Sequence, residues 1–386
     1  MAYFRVKFGG AGSRVCLRLP LPQRLSAVPL TFVEQDLQPY NTLGLTARAP
    51  VSVLSDESEL AEVCREVAAC PASQAPFILG GGSNVVMEPC PQHRVLRVAL
   101  RGVGLWRETA THWIVEAAAG ESWHGFVSYC LAQGWAGLEN LALIPGTVGA
   151  APVQNIGAYG VELAERLHSV VAWDLRAGCA CELSASDCGF AYRDSLFKQA
   201  GPGGWLITRV RVALPKRWSP RLGYPDLRRH PLLQVGDPAQ AQAVVSSAHE
   251  DDCKKDLTPQ RVFDAVCDIR RHKLPDPVVL GNAGSFFKNP MVPAAQAQRL
   301  QVRFPGLRMY PQPDGFVKLA AGWLIEQAGW KGRCLGPVGM HDRQSLVLVN
   351  HGGATADDVH ALASAVQADV RQRFGVALEQ EPVSLN

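Results

Sequence analysis

Phe77-Ile-Leu-Gly-Gly-Gly-Ser-Asn84 joins a short apolar strand directly to three consecutive glycines. Because glycine has no Cβ, backbone N–H groups in such a turn can approach an anion closely, as they do at phosphate sites. The spacing is not the GxGxxG of a Rossmann site, and the P-loop pattern GxxxxGK followed by Ser or Thr is absent from the chain. By itself, the triple glycine predicts a tight turn more strongly than it predicts a phosphate site.

The sequence on both sides of this turn predicts alternating strands and helices. Strands are predicted at residues 51–54, 77–79, 95–100, 113–118, 169–174, 205–214 and 376–385. Helices are predicted at residues 60–67, 123–131, 262–273, 319–328 and 355–374. Capping patterns at Asp56-x-x-Glu59 and Thr355-x-x-Asp358 begin two of these helices, and Gly134 and Gly375 end two. The fold class is therefore mixed α and β.

A second glycine-rich segment makes a cofactor site more plausible. It consists of Ile144-Pro-Gly-Thr-Val-Gly149 and then Pro152-Val-Gln-Asn-Ile-Gly-Ala-Tyr-Gly160. Two such segments could hold the pyrophosphate and the isoalloxazine edge of a flavin nucleotide. The alternative is that both are ordinary loops.

The segment Gly281-Asn-Ala-Gly-Ser-Phe-Phe-Lys-Asn289 is the densest polar cluster of the sequence. Ser285 within it lacks the GxSxG context of a hydrolase nucleophile. A serine hydroxyl can instead donate a proton to a strongly basic carbon. A buried structural serine is the alternative.

Arg193 and two C-terminal glutamates are further candidates. Arg193 lies between aromatic residues and offers a planar fork to a carboxylate or phosphate, or else pairs with Asp194. Glu379 and Glu381 would share one face of the predicted strand 376–385, and periodicity cannot choose between them.

Composition excludes several classes of protein. Of 386 residues, 47% are hydrophobic and 19% charged, and the net charge is only +3. This balance gives no reason to expect a nucleic-acid partner. No apolar run reaches the length of a membrane span, so none is expected. The eleven cysteines fit no zinc spacing, which predicts no metal site and reduced thiols in a cytoplasmic protein.

An ordered series of motifs resembles the UDP-N-acetylenolpyruvoylglucosamine reductase family. The series covers residues 37–386 and comprises Asn41-Thr-Leu-Gly44, Leu79-Gly-Gly-Gly-Ser-Asn84, Gly137-Leu-Glu-Asn-Leu-Ala-Leu-Ile-Pro-Gly146, Gln154-Asn-Ile-Gly-Ala-Tyr-Gly160, Tyr192-Arg-Asp-Ser195, Lys273-Leu-Pro-Asp276, residues 281–290 and Leu378-Glu-Gln-Glu381. Each motif is weak, but their order is highly specific.

The resemblance implies an α+β fold with a two-part FAD-binding domain of the vanillyl-alcohol-oxidase type and a smaller α+β C-terminal substrate domain. Residues 1–36 would be an extra, disordered N-terminal segment. Residues 37–100 and 101–273 would form the two FAD-binding subdomains, and residues 274–386 the substrate domain. The segment 230–258 is longer than the family pattern predicts.

The resemblance also implies a non-covalently bound FAD, with NADPH as co-substrate. Hydride would pass from NADPH through the flavin to C3 of UDP-N-acetylglucosamine enolpyruvate, which gives UDP-N-acetylmuramate for peptidoglycan. The cofactor-binding residues that it implies are Gly80, Gly81, Gly82, Ser83, Asn84, Pro145, Gly146, Gly149, Gly157 and Gly160.

The same resemblance assigns roles around the substrate. Ser285 would protonate C2, while Arg193 and Glu381 would stabilise the charge that develops there. The substrate-binding residues that it implies are Tyr224, Lys273, Asn289 and Gln344. Many family members carry an arginine two residues after the glutamate, where this chain has Val383.

Two alternative functions keep the same flavin fold. One is an oxidase with flavin tethered through a residue such as His124 or Cys130, and the other is a non-catalytic flavin-binding relative. The combination of Ser285, Arg193 and Glu381 argues against the second. A monomer that acts on a small molecule is expected.

Overall fold

The computed structural model describes residues 30–234 and 257–386, and the backbone of Val15–Leu17. The chain forms two compact units. Unit 1 comprises the described residues of Met1–Thr31, Ser52–Gly81 and Val95–Arg270, and unit 2 comprises Phe32–Val51, Gly82–Arg94 and Arg271–Asn386. None of the helices in the described residues combines the length and apolar character needed to cross a membrane.

The described residues contain twenty-one strands and eight α-helices. The strands are β1 (Val15–Leu17), β2 (Val33–Asp36), β3 (Arg48–Leu54), β4 (Phe77–Leu79), β5 (Val85–Met87), β6 (Val95–Val98), β7 (Val103–Glu108), β8 (His112–Ala118), β9 (Gly157–Ala158), β10 (Val161–Glu162), β11 (Leu167–Asp174), β12 (Cys179–Ser184), β13 (Trp205–Pro215), β14 (Gly281–Ser285), β15 (Met291–Pro293), β16 (Met309–Pro311), β17 (Phe316–Leu319), β18 (Cys334–Leu335), β19 (Val338–Met340), β20 (Val347–Asn350) and β21 (Val383–Leu385). The helices are α1 (Leu60–Ala69), α2 (Trp123–Ala132), α3 (Leu196–Gln199), α4 (Pro225–Arg228), α5 (Pro259–Lys273), α6 (Ala294–Arg303), α7 (Ala321–Gln327) and α8 (Ala356–Phe374).

The main sheet of unit 1 has six antiparallel strands in the order β1-β12-β11-β13-β8-β7. One face is apolar, and β13 buries Val210 and Val212 there completely. The other face carries ion pairs, in which Glu116 on β8 contacts Arg209 at 2.7 Å and Arg211 at 2.6 Å on β13. Because a slip by one residue would exchange these two faces, the pattern fixes the strand register.

Helix α2 connects the core of unit 1 to the second glycine-rich segment. The hydroxyl of Ser122 caps the helix by accepting from the amide of Gly125, and Gly134 follows its end with φ +76°. Trp123, which is 1% exposed, donates its indole N–H to the carbonyl of Leu141 at 2.9 Å. Its backbone N–H donates to the carbonyl of Gly146 at 3.0 Å, so the helix N-terminus holds this loop.

Unit 2 packs three helices with small sheets. Strands β14-β20-β19-β18 and β15-β17-β16 form two antiparallel sheets, while β21 pairs in parallel with β5. Helix α8 begins at a capping box between Thr355 and Asp358 and ends at Gly375 with φ +65°. It buries one apolar face in the core of the unit, including Val359, Val366 and Phe374.

Most of the predicted elements are confirmed, with differences at both ends of the chain. Residues 376–385 do not form one strand, because only Val383–Leu385 pairs and Gln380 makes an isolated bridge with Phe287. Glu379 and Glu381 therefore do not share a strand face. The expected disordered segment 1–36 contains two strands, β1 and β2. Most of the long segment 230–258 lies outside the described residues.

The two units also divide the chain differently from the expected domains. Residues 37–51 and 82–94, which the sequence assigns to the first FAD subdomain, belong to unit 2. The unit boundary after Arg270 lies within three residues of the expected boundary at 273/274. The first glycine-rich turn spans a boundary, which falls between Gly81 and Gly82.

We expect Thr355→Ala to lower the free energy of unfolding of α8 by about 1 kcal/mol, because it removes the helix N-cap. Its hydroxyl accepts from the amide of Asp358, and the Asp358 carboxylate accepts in turn from the Thr355 amide. Hydrogen–deuterium exchange of α8 across a urea series measures the change. Ser364→Ala, at an exposed position inside the same helix, is the control and should leave stability unchanged or slightly raised. Equal stability of the two variants would contradict a capping role.

Candidate active site

The two glycine-rich segments touch within unit 1. A Cβ at Gly81 would stand 2.9 Å from the Cα of Gly146, and a Cβ at Gly80 would stand 2.6 Å from the Thr147 hydroxyl. Cβ atoms essentially never stand closer than 3.0 Å to another heavy atom, and at Gly81 the neighbour is backbone, so this position requires glycine. The contact leaves backbone groups of both loops exposed to a ligand instead of covered by side chains.

The other predicted glycines of this segment serve different purposes. A Cβ at Gly149 would stand 2.5 Å from that of Ala119, so this glycine permits packing against the end of the sheet. Gly160 has φ +81° with open space around it, as a turn requires. Gly157 lies on β9, and its carbonyl accepts a hydrogen bond from a terminal nitrogen of Arg193 at 3.3 Å.

Arg193 has an unusual backbone conformation, with φ +56°. Lys198 holds its carbonyl through a hydrogen bond of 3.1 Å, and the Tyr192 ring lies 5.5 Å from its guanidinium. The carboxylate of Asp194 accepts from the Ser195 amide and from the Gln199 side chain. The structure thus gives Asp194 other partners, while Arg193 contacts Gly157 within the second glycine-rich segment.

The residues of unit 1 fit a flavin nucleotide. The glycine contact provides a surface of exposed backbone, which suits a pyrophosphate. The side-chain oxygen of Gln154 in the second segment is buried and has no hydrogen-bond partner in the described residues. Because buried acceptors are nearly always paired, this oxygen calls for a donor from a bound molecule.

The second half of the first glycine-rich turn lies in unit 2. Gly82 has φ +61°, and a Cβ there would stand 1.7 Å from the carbonyl oxygen of Tyr40. Asn84 donates its side-chain N–H to the carbonyl of Glu381 at 3.2 Å, and its own carbonyl accepts from the amide of Val383. The turn therefore holds the C-terminal segment that carries Glu381.

Ser285 and Glu381 are neighbours through the backbone. The amide of Glu381 donates to the carbonyl of Phe286 at 2.8 Å, one residue after Ser285. Ser285 ends β14 after Gly284, whose φ of +68° interrupts the strand pairing. The Ser285 side chain is half-buried, and its hydroxyl makes no hydrogen bond within the described residues. It is therefore available to a ligand.

Asn289 and Gln344 both lie against the beginning of α7. The side-chain oxygen of Asn289 accepts from the amide of Ala321 at 2.9 Å, which fixes the orientation of its amide group. The Gln344 side-chain oxygen would contact a Cβ placed at Gly322 at 3.4 Å. Lys273, the last residue of α5, is half-buried. These three residues belong to unit 2, as do Ser285 and Glu381.

Tyr224 belongs to unit 1, where it caps the short helix α4 and is 41% exposed. Its ring packs edge-on against Tyr159, with 5.1 Å between ring centres. Burial raises the pKa of Tyr159 to about 12, and its hydroxyl is hydrogen-bonded to Arg270. Burial also lowers the pKa of Arg270.

Sequence reasoning missed Tyr159 and Arg270. Tyr159 stands inside the quoted second glycine-rich segment, where its aromatic ring between two glycines was the available signal. Arg270 carried none, because nothing in a charged helix face distinguishes one arginine from its neighbours.

The two residues considered for a covalent flavin link are engaged elsewhere. Cys130 is fully buried in the core, and burial raises the pKa of its thiol. His124 accepts from the amide of Leu143 at 3.1 Å and stacks on Phe263. Neither arrangement favours a tethered flavin.

Known proteins match both halves of the chain. Residues 53–180 match the family model described as FAD binding domain, and residues 276–385 match UDP-N-acetylenolpyruvoylglucosamine reductase, C-terminal domain. The crystal structure of UDP-N-acetylenolpyruvylglucosamine reductase from Thermus caldophilus is similar with a TM-score of 0.61 over 92% of this chain and 100% of that chain, at 24% identity. That likeness concerns the fold.

Relatives at higher identity extend over the whole chain. The UDP-N-acetylenolpyruvoylglucosamine reductase of Bordetella pertussis is 56% identical over 365 residues, which cover 94% of this chain and 98% of that protein. The protein of the same name from Paraburkholderia phymatum is 52% identical over 351 residues, which cover 90% and 96%. These matches cover both units, and sequence identity above 50% over so much of the chain shows more than a shared fold. The chain therefore belongs to the UDP-N-acetylenolpyruvoylglucosamine reductase family.

Proposed function

We propose that this chain reduces UDP-N-acetylglucosamine enolpyruvate to UDP-N-acetylmuramate, with NADPH as the hydride source and FAD as the carrier. The observation that carries the proposal is the 56% identity to a reductase of this name over 98% of its length. When bound, FAD would take hydride from NADPH and deliver it to C3 of the enolpyruvyl group. The FAD domain, of the vanillyl-alcohol-oxidase type, would consist of residues 37–100 and 101–273, with residues 274–386 as the substrate domain.

Ser285 would be the proton donor in this reaction. Hydride addition at C3 leaves negative charge at C2, next to the substrate carboxylate. A serine hydroxyl is a weak acid, but a carbanion is a much stronger base, so proton transfer is favourable when the two atoms are within reach. The half-buried hydroxyl of Ser285, which has no hydrogen bond within the described residues, supports this role.

Arg193 would stabilise the charge on the enolate, and Glu381 would complete the enol-stabilising network. The arginine supplies a positive fork that is partly held by its bond to the carbonyl of Gly157, and groups fixed before the reaction begins are the condition for electrostatic stabilisation. Tyr224, Lys273, Asn289 and Gln344 would bind the UDP and carboxylate groups of the substrate.

The setting of the reaction is also a proposal. All nine cysteines whose side chains the structure describes are free thiols, which supports a reducing compartment, the cytoplasm. We propose that the enzyme acts as a monomer on small molecules, and light scattering coupled to size exclusion tests the monomer.

A two-step anaerobic titration tests the function. NADPH should bleach the visible flavin band, and the enolpyruvyl sugar should then restore it, whereas UDP-N-acetylglucosamine without the enolpyruvyl group should not. A protein that bleaches and recovers only with oxygen would indicate an oxidase. Protein that cannot be loaded with FAD would contradict the cofactor assignment itself.

We expect Ser285→Ala to keep flavin reduction by NADPH within about twofold and to slow reoxidation by the enolpyruvyl sugar by about 10²–10⁴-fold, the range for a lost general acid. Stopped-flow absorbance under anaerobic conditions measures both steps on the same sample. Ser364→Ala is the matched control and should leave both rates unchanged. Near-normal reoxidation in Ser285→Ala would exclude the proton-donor role.

We expect Gly81→Ala to reduce FAD loading severalfold, because the added Cβ forces the two glycine-rich loops apart at Gly146. The ratio of flavin to protein absorbance after purification reports loading without any need for turnover. Gly104→Ala, where a Cβ meets no atom within 4 Å, is the control and should bind FAD normally. Equal loading of both variants would show that the close contact is dispensable for the cofactor.

A further inference from the structure

A buried turn in unit 1, the 3₁₀ segment Glu139–Leu141, holds the segment that leads to Tyr224. Glu139 is only 4% exposed. One of its carboxylate oxygens accepts from the amide of Gly137 at 2.7 Å, and the other accepts from the indole N–H of Trp218. A buried carboxylate needs such partners, and here one of them lies six residues before Tyr224.

The next residue of the turn makes a second connection. Asn140 is 2% exposed, and its side-chain N–H₂ donates to the carbonyl of Tyr159 at 3.0 Å and to the carbonyl of Arg221 at 2.8 Å. One amide thus joins the hairpin that carries Tyr159 to the segment that carries Tyr224. The Tyr159 backbone has φ +49°, a conformation that needs such external support.

The side chains of the two joined segments then meet. The Tyr159 and Tyr224 rings pack edge to face at 5.1 Å, a favourable aromatic geometry. The guanidinium of Arg270 is hydrogen-bonded to the hydroxyl of Tyr159 and also donates to the carbonyl of Leu143 at 3.2 Å. Tyr159 therefore has fixed partners at its backbone and at its hydroxyl.

We propose that Glu139 and Asn140 are positioning residues that set where the Tyr224 ring stands. Their bonds to Trp218 and Arg221 fix the base of the segment, and Tyr159 provides the surface against which the ring rests. The inference rests on the proposed function only where it assigns substrate contact to Tyr224. Tyr224 is 41% exposed and α4 is only one turn long, so the helix itself gives the ring little support.

A fixed ring matters because binding energy depends on geometry. When a side chain becomes ordered only on substrate binding, the loss of its conformational entropy reduces the net free energy of binding. Release of the segment should therefore weaken substrate binding, while the chemistry at C2 and C3 should continue at its usual rate once the substrate is bound.

The first test is Trp218→Phe, which keeps an aromatic ring and removes the indole N–H that donates to Glu139, together with part of the ring volume. We expect the KM for the enolpyruvyl sugar to rise about tenfold, as for one lost hydrogen bond to a charged group, with kcat and flavin reduction by NADPH within about twofold. Trypsin cleavage after Arg221, followed by mass spectrometry, should become severalfold faster. Asn140→Asp, which replaces the donor by an acceptor, should raise KM and cleavage in the same direction.

Trp330→Phe is the matched control. Trp330 is 2% exposed in unit 2 and donates its indole N–H to the carboxylate of Asp369 at 2.9 Å. We expect this variant to lower the melting temperature but to leave KM and cleavage after Arg221 unchanged. If Trp218→Phe likewise lowers only the melting temperature and leaves KM and cleavage unchanged, the bond to Glu139 has only a structural role and the proposal is overturned.

Tyr224→Ala separates this inference from the proposed function. If it raises KM while Trp218→Phe and Asn140→Asp do not, the positioning role is wrong and the function stands. If Tyr224→Ala leaves the KM of an active wild-type enzyme unchanged, the substrate-positioning role is overturned. If the wild type does not act on the enolpyruvyl sugar, the proposed function fails, and cleavage after Arg221 alone decides whether the turn holds the segment.

Discussion

The contact between two backbones at Gly81 and Gly146 is the constraint on which the site in unit 1 depends. A Cβ at Gly81 would stand 2.9 Å from its neighbour's Cα, and the adjacent Gly80 has no more room. Elements on each side bring the loops to this distance. Strand β4 ends at Leu79, and the amide of Trp123 at the beginning of α2 binds the carbonyl of Gly146. The site is thus placed by a strand end and a helix end, which are rigid, and not by the loops themselves.

Buried polar side chains take over where regular structure ends. Loops leave backbone carbonyls without strand or helix partners, and a buried carbonyl must find a donor. In unit 1 the Asn140 side chain donates to the carbonyls of Tyr159 and Arg221, and the Arg270 side chain donates to the carbonyl of Leu143. In unit 2 Asn350 does the same for Leu43 at 2.8 Å. The same bonds satisfy the backbone and fix where these loops stand.

The sequence predicted local structure well where one element decides it. Helix α8 has its capping box, its apolar face and its terminal glycine in a continuous stretch, and its bounds were predicted nearly to the residue. Strands β5 and β12 were not predicted, because three or six residues beside glycines carry too little periodicity. Within the site, the glycine contact was signalled only by composition. The partners of Glu139 and Asn140 lie up to 81 residues away, and single-sequence reasoning has no access to such pairs.

The predicted strand over residues 376–385 was wrong at Glu381, and the contacts of the C-terminal segment explain why. Its carboxylate is not presented by a strand face; instead its backbone is held on both sides, by Phe286 through the amide and by Asn84 through the carbonyl. Strand β21 then begins at Val383 and pairs in parallel with Val85 on β5. A slip of one residue in that pairing would displace Glu381 by about 3.3 Å, which exceeds the tolerance of the role proposed for it. Val383 pairs with Val85 in that register, and the position of Glu381 follows from β5, the strand that begins directly after the glycine-rich turn.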